Sequence, residues 1–241
     1  MNAVSRTEGG REHDMEEIPG PASARVRVRR LPDRGRYQRE VIDAILDEAL
    51  ICHVGFVADG QPFVIPTIHA RSGDVLYLHG SAASRMLRTL KGGVPACVTA
   101  SIVDGLVLAR SAFHHSLNYR SVVVLGRAVE VRDETEKVRA LHAVVEHIAP
   151  GRWDEVRGPS PSELRQTIVL EMRLDEASAK VRSGPPKDEK EDLALPVWAG
   201  ELPIGSLALE ARDDPLLRAG IARPGWLATY DRTARSRAAG R

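Results

Sequence analysis

The 241-residue sequence predicts a mainly β domain, an antiparallel barrel or sandwich with a few covering helices. Three observations predict it. Six or more short segments rich in β-branched residues follow one another between residues 51 and 174. Tight-turn pairs such as Asp59-Gly60 and Asp104-Gly105 punctuate them. Helical periodicity lies between only some of these segments, whereas a parallel βαβ series needs a helix between most of them.

The elements follow in order. Met1 to Arg36 is rich in Gly, Glu, Arg and Pro without an apolar period, which predicts a flexible or loosely docked arm (residues 1–36). Within it ARVRVRR alternates arginine with valine, the pattern of an edge strand or of a solvated run. Val41, Ile42, Ile45, Leu46, Ala49 and Leu50 recur at helical spacing, so an amphipathic helix begins near Arg39. Ile51 to Val57 and Pro62 to Ala70 read as strands around Asp59-Gly60, and Val75 to His79 follows the turn at Ser72-Gly73-Asp74. Ser84 opens a short helix, Arg85 to Leu90, which Gly92-Gly93 ends. Ala96 to Val103 and Gly105 to Arg110 read as two strands joined at Asp104-Gly105. Ser111 to Arg120 is polar and His-rich, and Val122 to Val131 is a sixth strand with a bulge or bend at Gly126.

A helix over Asp133 to Ile148 carries Val138, Leu141, Val144, Val145 and Ile148 on one face, and Pro150-Gly151 stops it. Ser160 and Ser162 cap a short helix at Glu163-Leu164, and Ile168 to Leu174 is a final strand. From Lys180 the chain turns polar and Pro-rich apart from LALPVWAGELP. The predicted organisation is a domain over residues 37–180 and a C-terminal extension, residues 181–241, packing on the barrel or on a dimer partner.

Composition narrows the function. Lys and Arg number 34 against 33 Asp and Glu, a balance unlike the basic footprint of a nucleic-acid binder. No apolar run reaches the roughly 18–20 residues that cross a bilayer. The N-terminus shows no apolar signal segment, so a cytoplasmic protein is expected. Cys52 and Cys97 sit in apolar contexts as buried free thiols, too few and too far apart for a zinc site.

No nucleophile elbow, Walker loop, dinucleotide fingerprint or paired-histidine zinc motif is present. The most informative unit is strand, then His79-Gly80-Ser81-Ala82-Ala83-Ser84-Arg85, then helix. Small residues let a ligand approach the backbone, and a hydroxyl with an arginine at a helix start suits phosphate. An ordinary capped helix with a surface arginine gives the same spacing. The second unit is Phe113-His114-His115-Ser116-Leu117-Asn118-Tyr119-Arg120-Ser121, whose histidines suit acid–base work, metal or haem. Adjacent side chains of an extended segment point opposite ways, so both cannot readily ligate one ion. His53 and His69 lie within strand patterns and read as core or barrel-wall residues.

The runs FVIPTIHARSGDVLYLHGSAASRMLRTL and CVTASIVDGLVLARSAFHHSLNYRSVVVLGRAVEV resemble the pyridoxamine 5′-phosphate oxidase-like FMN-binding split barrels. The resemblance is nearest the branch of flavin-nucleotide-binding proteins and nitroimidazole-resistance reductases. It covers Tyr37 to Ala179 and implies a six-stranded antiparallel FMN-binding split β-barrel. It further implies a homodimer with two FMN sites at the subunit interface and a small-molecule substrate. The strand at Val64, Ile65, Pro66 and Thr67 would run along the flavin ring, and His79 and Gly80 would lie near the ring or ribityl chain. Ser84, Arg85 and Met86 match the phosphate turn, Arg120 and Ser121 the position that reaches the site from across it, and Trp198 a tryptophan near the flavin.

Three departures argue against a true pyridoxamine phosphate oxidase. Met86 replaces a second basic residue, Arg88 lying one helical step away. Val64 replaces a basic residue on the flavin-side strand, and no C-terminal arginine and histidine pair is identifiable. The expected function is an FMN-dependent oxidoreductase with His79, His114 or Tyr119 as proton donor. Alternatives are a non-catalytic flavin carrier or sensor, a haem-binding split barrel using His69, His79, His114 or His115, and a deazaflavin cofactor.

Overall fold

The computed structural model describes residues 19–232. The remainder of the expected arm and of the extension lies outside the described residues. Residues 27–29 run extended but join no ladder, so the valine alternation makes neither a strand nor a wholly solvated run. Val26 is buried and the Val28 amide donates to the Tyr37 hydroxyl at 2.9 Å. Strand β1 (Gly35–Arg36) follows, then helix α1 (Arg39–Glu48), which buries Ile42, Ile45 and Leu46 as its spacing predicts.

Strands β2 (Ile51–Ala58) and β3 (Gln61–Ser72) form the predicted hairpin. Asp59 and Gly60 both take positive φ, 51° and 75°, the left-handed pair that a two-residue turn requires. Strand β4 (Val75–Ser81) pairs with β3 and runs into helix α2 (Arg85–Leu90), capped by the Ser84 hydroxyl, which accepts from the Leu87 amide. Strand β5 (Pro95–Leu108) is one 14-residue strand where the sequence predicts two. The Asp104-Gly105 pair is a register shift within its ladder to β6 (Ser116–Arg127) and reverses nothing. Gly105 is small for another reason: a Cβ there would come 3.0 Å from the Leu202 carbonyl oxygen on a crossing strand.

Gly126 keeps regular pairing, and the break falls at Ala128, before β7 (Val129–Glu130). Helix α3 (Glu134–Ile148) is capped by Asp133, and α4 (Pro161–Gln166) by a Ser160/Glu163 capping box. Strand β8 (Thr167–Arg173) is as expected. Strand β9 (Glu176–Arg182) is not, and neither is β10 (Gly200–Pro203), which pairs with β5.

Among the described residues the sheet therefore has ten strands, not six, all antiparallel, in the order β1-β9-β6-β5-β2-β3-β4-β8-β7, with β10 off this path and paired to β5. Hydrogen bonding does not close it into a ring. The run β6–β7 pairs first with β5 and β9 and then with β8, which brings the two ends of the order together. Val54, Leu76, Leu78, Val98, Val122, Val124, Leu170 and Met172 fill the interior, and α1 covers one end. On the outer face, Tyr77, Val131 and Val169 pack under Ala140 of α3. Helix α3 also packs on β3, but the outer face of β2, of β5 and of the first half of β3 has no such cover among the described residues. There Ile51, Val57, Val64 and Val103 are exposed.

Candidate functional site

Strand alternation sorts the predicted residues. On β3, Phe63 and Ile65 pack against the core, while Val64, 66 % exposed, and Pro66 face outward. His79 pairs with outward-facing Val169, so it shares the outer face with Val64 and Pro66. Gly80 faces inward, and a Cβ there would meet Leu87 of α2 at 3.2 Å. That contact holds α2 close behind β4. Arg85 then reaches back over Phe63, its guanidinium carbon 4.1 Å from the ring centroid. Among the described residues Arg85 meets no carboxylate. Arg85 over Phe63 thus ties the turn after β4 to β3, while Val64, Pro66 and His79 face outward and Ile65 and Gly80 inward. Met86 differs: its side chain is buried in the core, which leaves only its main chain for the turn.

His79 is partly buried and its Nδ1 has no hydrogen-bond partner among the described residues. Burial holds its pKa below the ordinary histidine value. A neutral imidazole with an unused nitrogen beside an open sheet face is an unexplained polar group awaiting a partner.

The other predicted residues lie at the far end of the β5–β6 ladder, two intervening strands from β3, on the order of 14 Å at ordinary strand spacing. Tyr119 pairs with Val103 and Arg182, and the Ser121 hydroxyl donates to the Lys180 carbonyl at 3.3 Å. Arg120 is engaged within the chain. It forms two bonds to Glu48, at 2.6 and 2.8 Å, and Asp104 accepts from it as closely as 2.7 Å. The hydrogen bonds to Glu48, then those to Asp104, raise its pKa further. These three residues line a cleft of about 710 Å³ with Ile204, Ser206 and Arg232. Glu48 was not legible as a site residue, because an acid at a helix end reads as solvent-facing, and Asp104 was absorbed into the supposed turn.

Arg232 also belongs to an arrangement that no local motif announces. The last four carbonyls of α1 have no partner in the helix itself. His69 Nε2 donates to Leu46, Arg232 to Asp47 and Glu48, and His147 Nε2 to Ala49, each at 2.9 Å. His69 is therefore a core residue, as expected, with burial as the main cause of its lowered pKa. His53 is exposed on the outer face instead. Cys52 is buried, its thiol pushed up to about 12 by desolvation, while Cys97 is only half-buried on the outer face.

His114 and His115 diverge as predicted. His114 Nε2 lies 3.5 Å from Glu189, and His115 Nδ1 donates to the Ser111 carbonyl at 2.9 Å. The latter bond fixes the tautomer and leaves the lone pair on Nε2; Phe113 and Leu117 nearby in sequence are exposed. Trp198 is 67 % exposed and packs on Gly200 at the start of β10. Among the described residues no group of three or more His, Cys, Asp or Glu is placed to hold a metal ion, and no helix is long and apolar enough to cross a membrane.

Comparison with known proteins follows the same lines. Residues 38–181 match the pyridoxamine 5′-phosphate oxidase family. The flavocytochrome Anf3 from Azotobacter vinelandii is 40% identical, with a TM-score of 0.83 over 88% of this chain and 99% of that one. A FAD and haem binding protein from Mycobacterium smegmatis is 34% identical, with a TM-score of 0.78 over 81% and 96%. A Bacteroides thetaiotaomicron protein named for 5-nitroimidazole antibiotic resistance shares the fold, at 24% identity and a TM-score of 0.51 over 61% and 86%. No curated protein matches. The family match spans over half of the chain and coincides with the sheet and its helices, and on that ground this chain belongs to the pyridoxamine 5′-phosphate oxidase-like family.

Proposed function

We propose that this protein is a flavin- and haem-binding redox protein, with the flavin on the outer face of β3 and β4. The observation that carries the reading is near-full-length similarity to a flavocytochrome and to a FAD and haem binding protein. The cluster on β3, β4 and α2 fits a flavin nucleotide. Val64 and Pro66 offer an apolar surface for a ring, the orphaned His79 Nδ1 offers a polar contact, and Arg85 supplies a positive charge not spent on a carboxylate. A bound flavin supplies hydride and single-electron transfer. The chain's own groups would hold its phosphate at Ser84 and Arg85, would line the ring along Val64 to Thr67, and would offer it the His79 imidazole.

A homodimer completes this site. The uncovered apolar face at Ile51, Val57, Val64 and Val103 surrounds the half-site and suits burial against a second copy. Tyr119, Arg120 and Ser121, remote from the half-site in their own chain, would approach it from the partner. For haem, His115 is the best-built axial ligand of the four candidates. His69 is fully buried with Nε2 occupied, His79 faces the flavin surface, and His114 leans toward Glu189. The substrate is a small organic molecule or another electron acceptor, and the protein works in the cytoplasm.

Titrating the full chain with FMN, FAD and haem in turn tests the reading. Saturable flavin binding that Arg85→Ala weakens tenfold, and a Soret band that His115→Ala removes, would support it. A protein that leaves flavin fluorescence and haem absorbance unchanged would refute it.

A further inference from the structure

A basic hollow lies on the outer face of β6 and β9. The segment 25–30, which begins in a turn at residues 24–26, lines this face, and Val26 in it is buried. What remains is a hollow of about 290 Å³ lined by the arginines at 25, 27, 29 and 30, by Lys180 and Ser178, and by the valines at 26, 28 and 123, with the Ser121 hydroxyl donating to the Lys180 carbonyl. Arg25 is committed to Glu176. Arg27, Arg29, Arg30 and Lys180 have no carboxylate partner among the described residues. Nearby Arg34 and Arg182 add to the positive field, and desolvation and then Arg34 lower the pKa of Arg182. A surface whose charge balances almost to zero has thus gathered unpaired cations and hydroxyl groups in one concavity.

Guanidinium forks match phosphate oxygens two at a time, and hydroxyl groups complete the coordination of a dianion. Solvated arginines kept only for solubility gain nothing from a shared concave wall. We propose that this hollow binds the diphosphate of a nucleotide, with Arg27, Arg29, Arg30 and Lys180 as the anion ligands and the Ser178 hydroxyl at its floor. The source that fits is a free nicotinamide nucleotide delivering electrons, because the two phosphates of FAD adjoin and its flavin phosphate is assigned to Ser84 and Arg85, several strands away. The inference does not rest on the flavin reading, because inorganic pyrophosphate tests it directly.

The experiment compares the full chain with R27A/R29A/R30A, and with Lys180→Ala as a second, single-site variant. Circular dichroism confirms that each variant is folded. Pyrophosphate is titrated by calorimetry, and FMN, FAD and NADPH by fluorescence. Saturable pyrophosphate binding that falls tenfold or more in the triple variant, and severalfold in Lys180→Ala, supports the site. If FAD weakens tenfold while FMN stays within twofold, the free-nucleotide source is overturned. If NADPH weakens and FAD does not, the source is the free nucleotide. Pyrophosphate binding equal in all three proteins, or absent from the unsubstituted chain, overturns the proposal. Pyrophosphate binding by a chain that ignores both flavins refutes the flavin reading and leaves this site standing.

Discussion

Removing the Arg120 guanidinium tests whether the cleft at the α1 end is architecture. The Arg120 side chain is 24% exposed and that of Glu48 6%, so their paired bonds are shielded from water on one side. Breaking a buried pair by truncating one partner costs about 3–5 kcal/mol. Asp104 remains 34% exposed and water can replace part of its contact, so the lower end applies. Arg120→Ala is expected to destabilise the fold by about 2–3 kcal/mol. At about 2–4 °C per kcal/mol for a chain of this size, the melting temperature falls by about 4–12 °C. Arg120→Lys recovers less than half of the loss, because an ammonium cannot make two parallel bonds to Glu48. The assay is urea unfolding of Arg120→Ala, Glu48→Gln and the double variant, with a coupling energy of about 1–3 kcal/mol expected from the cycle. A loss under about 0.5 kcal/mol, or a cycle that closes to zero, would refute the reasoning and release Arg120 for a ligand role.

Other expectations concern acid, capping and assembly. His69 and His79 are both held below the ordinary histidine value, chiefly by burial, so the unfolded chain binds protons first as pH falls. Their contribution is therefore complete above about pH 6.5 and is lost below it, by up to about 1.4 kcal/mol per pH unit for each histidine. Urea midpoints measured from pH 7.5 to 5 should show this decline, and a flat profile would contradict it. His69→Gln, whose amide can still donate to the Leu46 carbonyl, should flatten part of it. Ser84→Ala removes the cap of α2 and should cost about 1 kcal/mol by thermal melting, whereas Arg85→Ala should cost under about 0.5 kcal/mol. Val64→Glu places a charge on the uncovered apolar face and should shift light scattering from dimer to monomer without loss of secondary structure. A Val64→Glu protein that stays dimeric would remove that face from the interface.

Much of the fold was readable because its signals are local. The α1 stripe, the Asp59-Gly60 turn, and the Ser84, Asp133 and Ser160 caps each depend on residues within a few positions of one another. What escaped is long-range. Strand β9 reads EASAKVR, alanines and charges with little β-branched character, and it is a strand because β1 and β6 flank it. Asp104-Gly105 has the composition of a turn, but its glycine serves the approach of β10 from about a hundred residues away and its carboxylate serves Arg120. The same division holds for the site. The phosphate-turn candidates fall in one contiguous stretch after β4, with Ser84 capping α2 and Met86 in the core. The shielding of His69 and the engagement of Arg120 arise from helix ends and a C-terminal residue that no spacing rule connects to them.

The account's central claim is that flavin sits against β3, β4 and α2. Flavin titration of the full chain beside Arg85→Ala and His79→Ala measures this most directly. The account predicts one flavin per chain, a tenfold or greater loss of affinity in Arg85→Ala with melting temperature unchanged, and an altered flavin absorbance band in His79→Ala. Flavin that binds all three proteins with one affinity and one spectrum would contradict it.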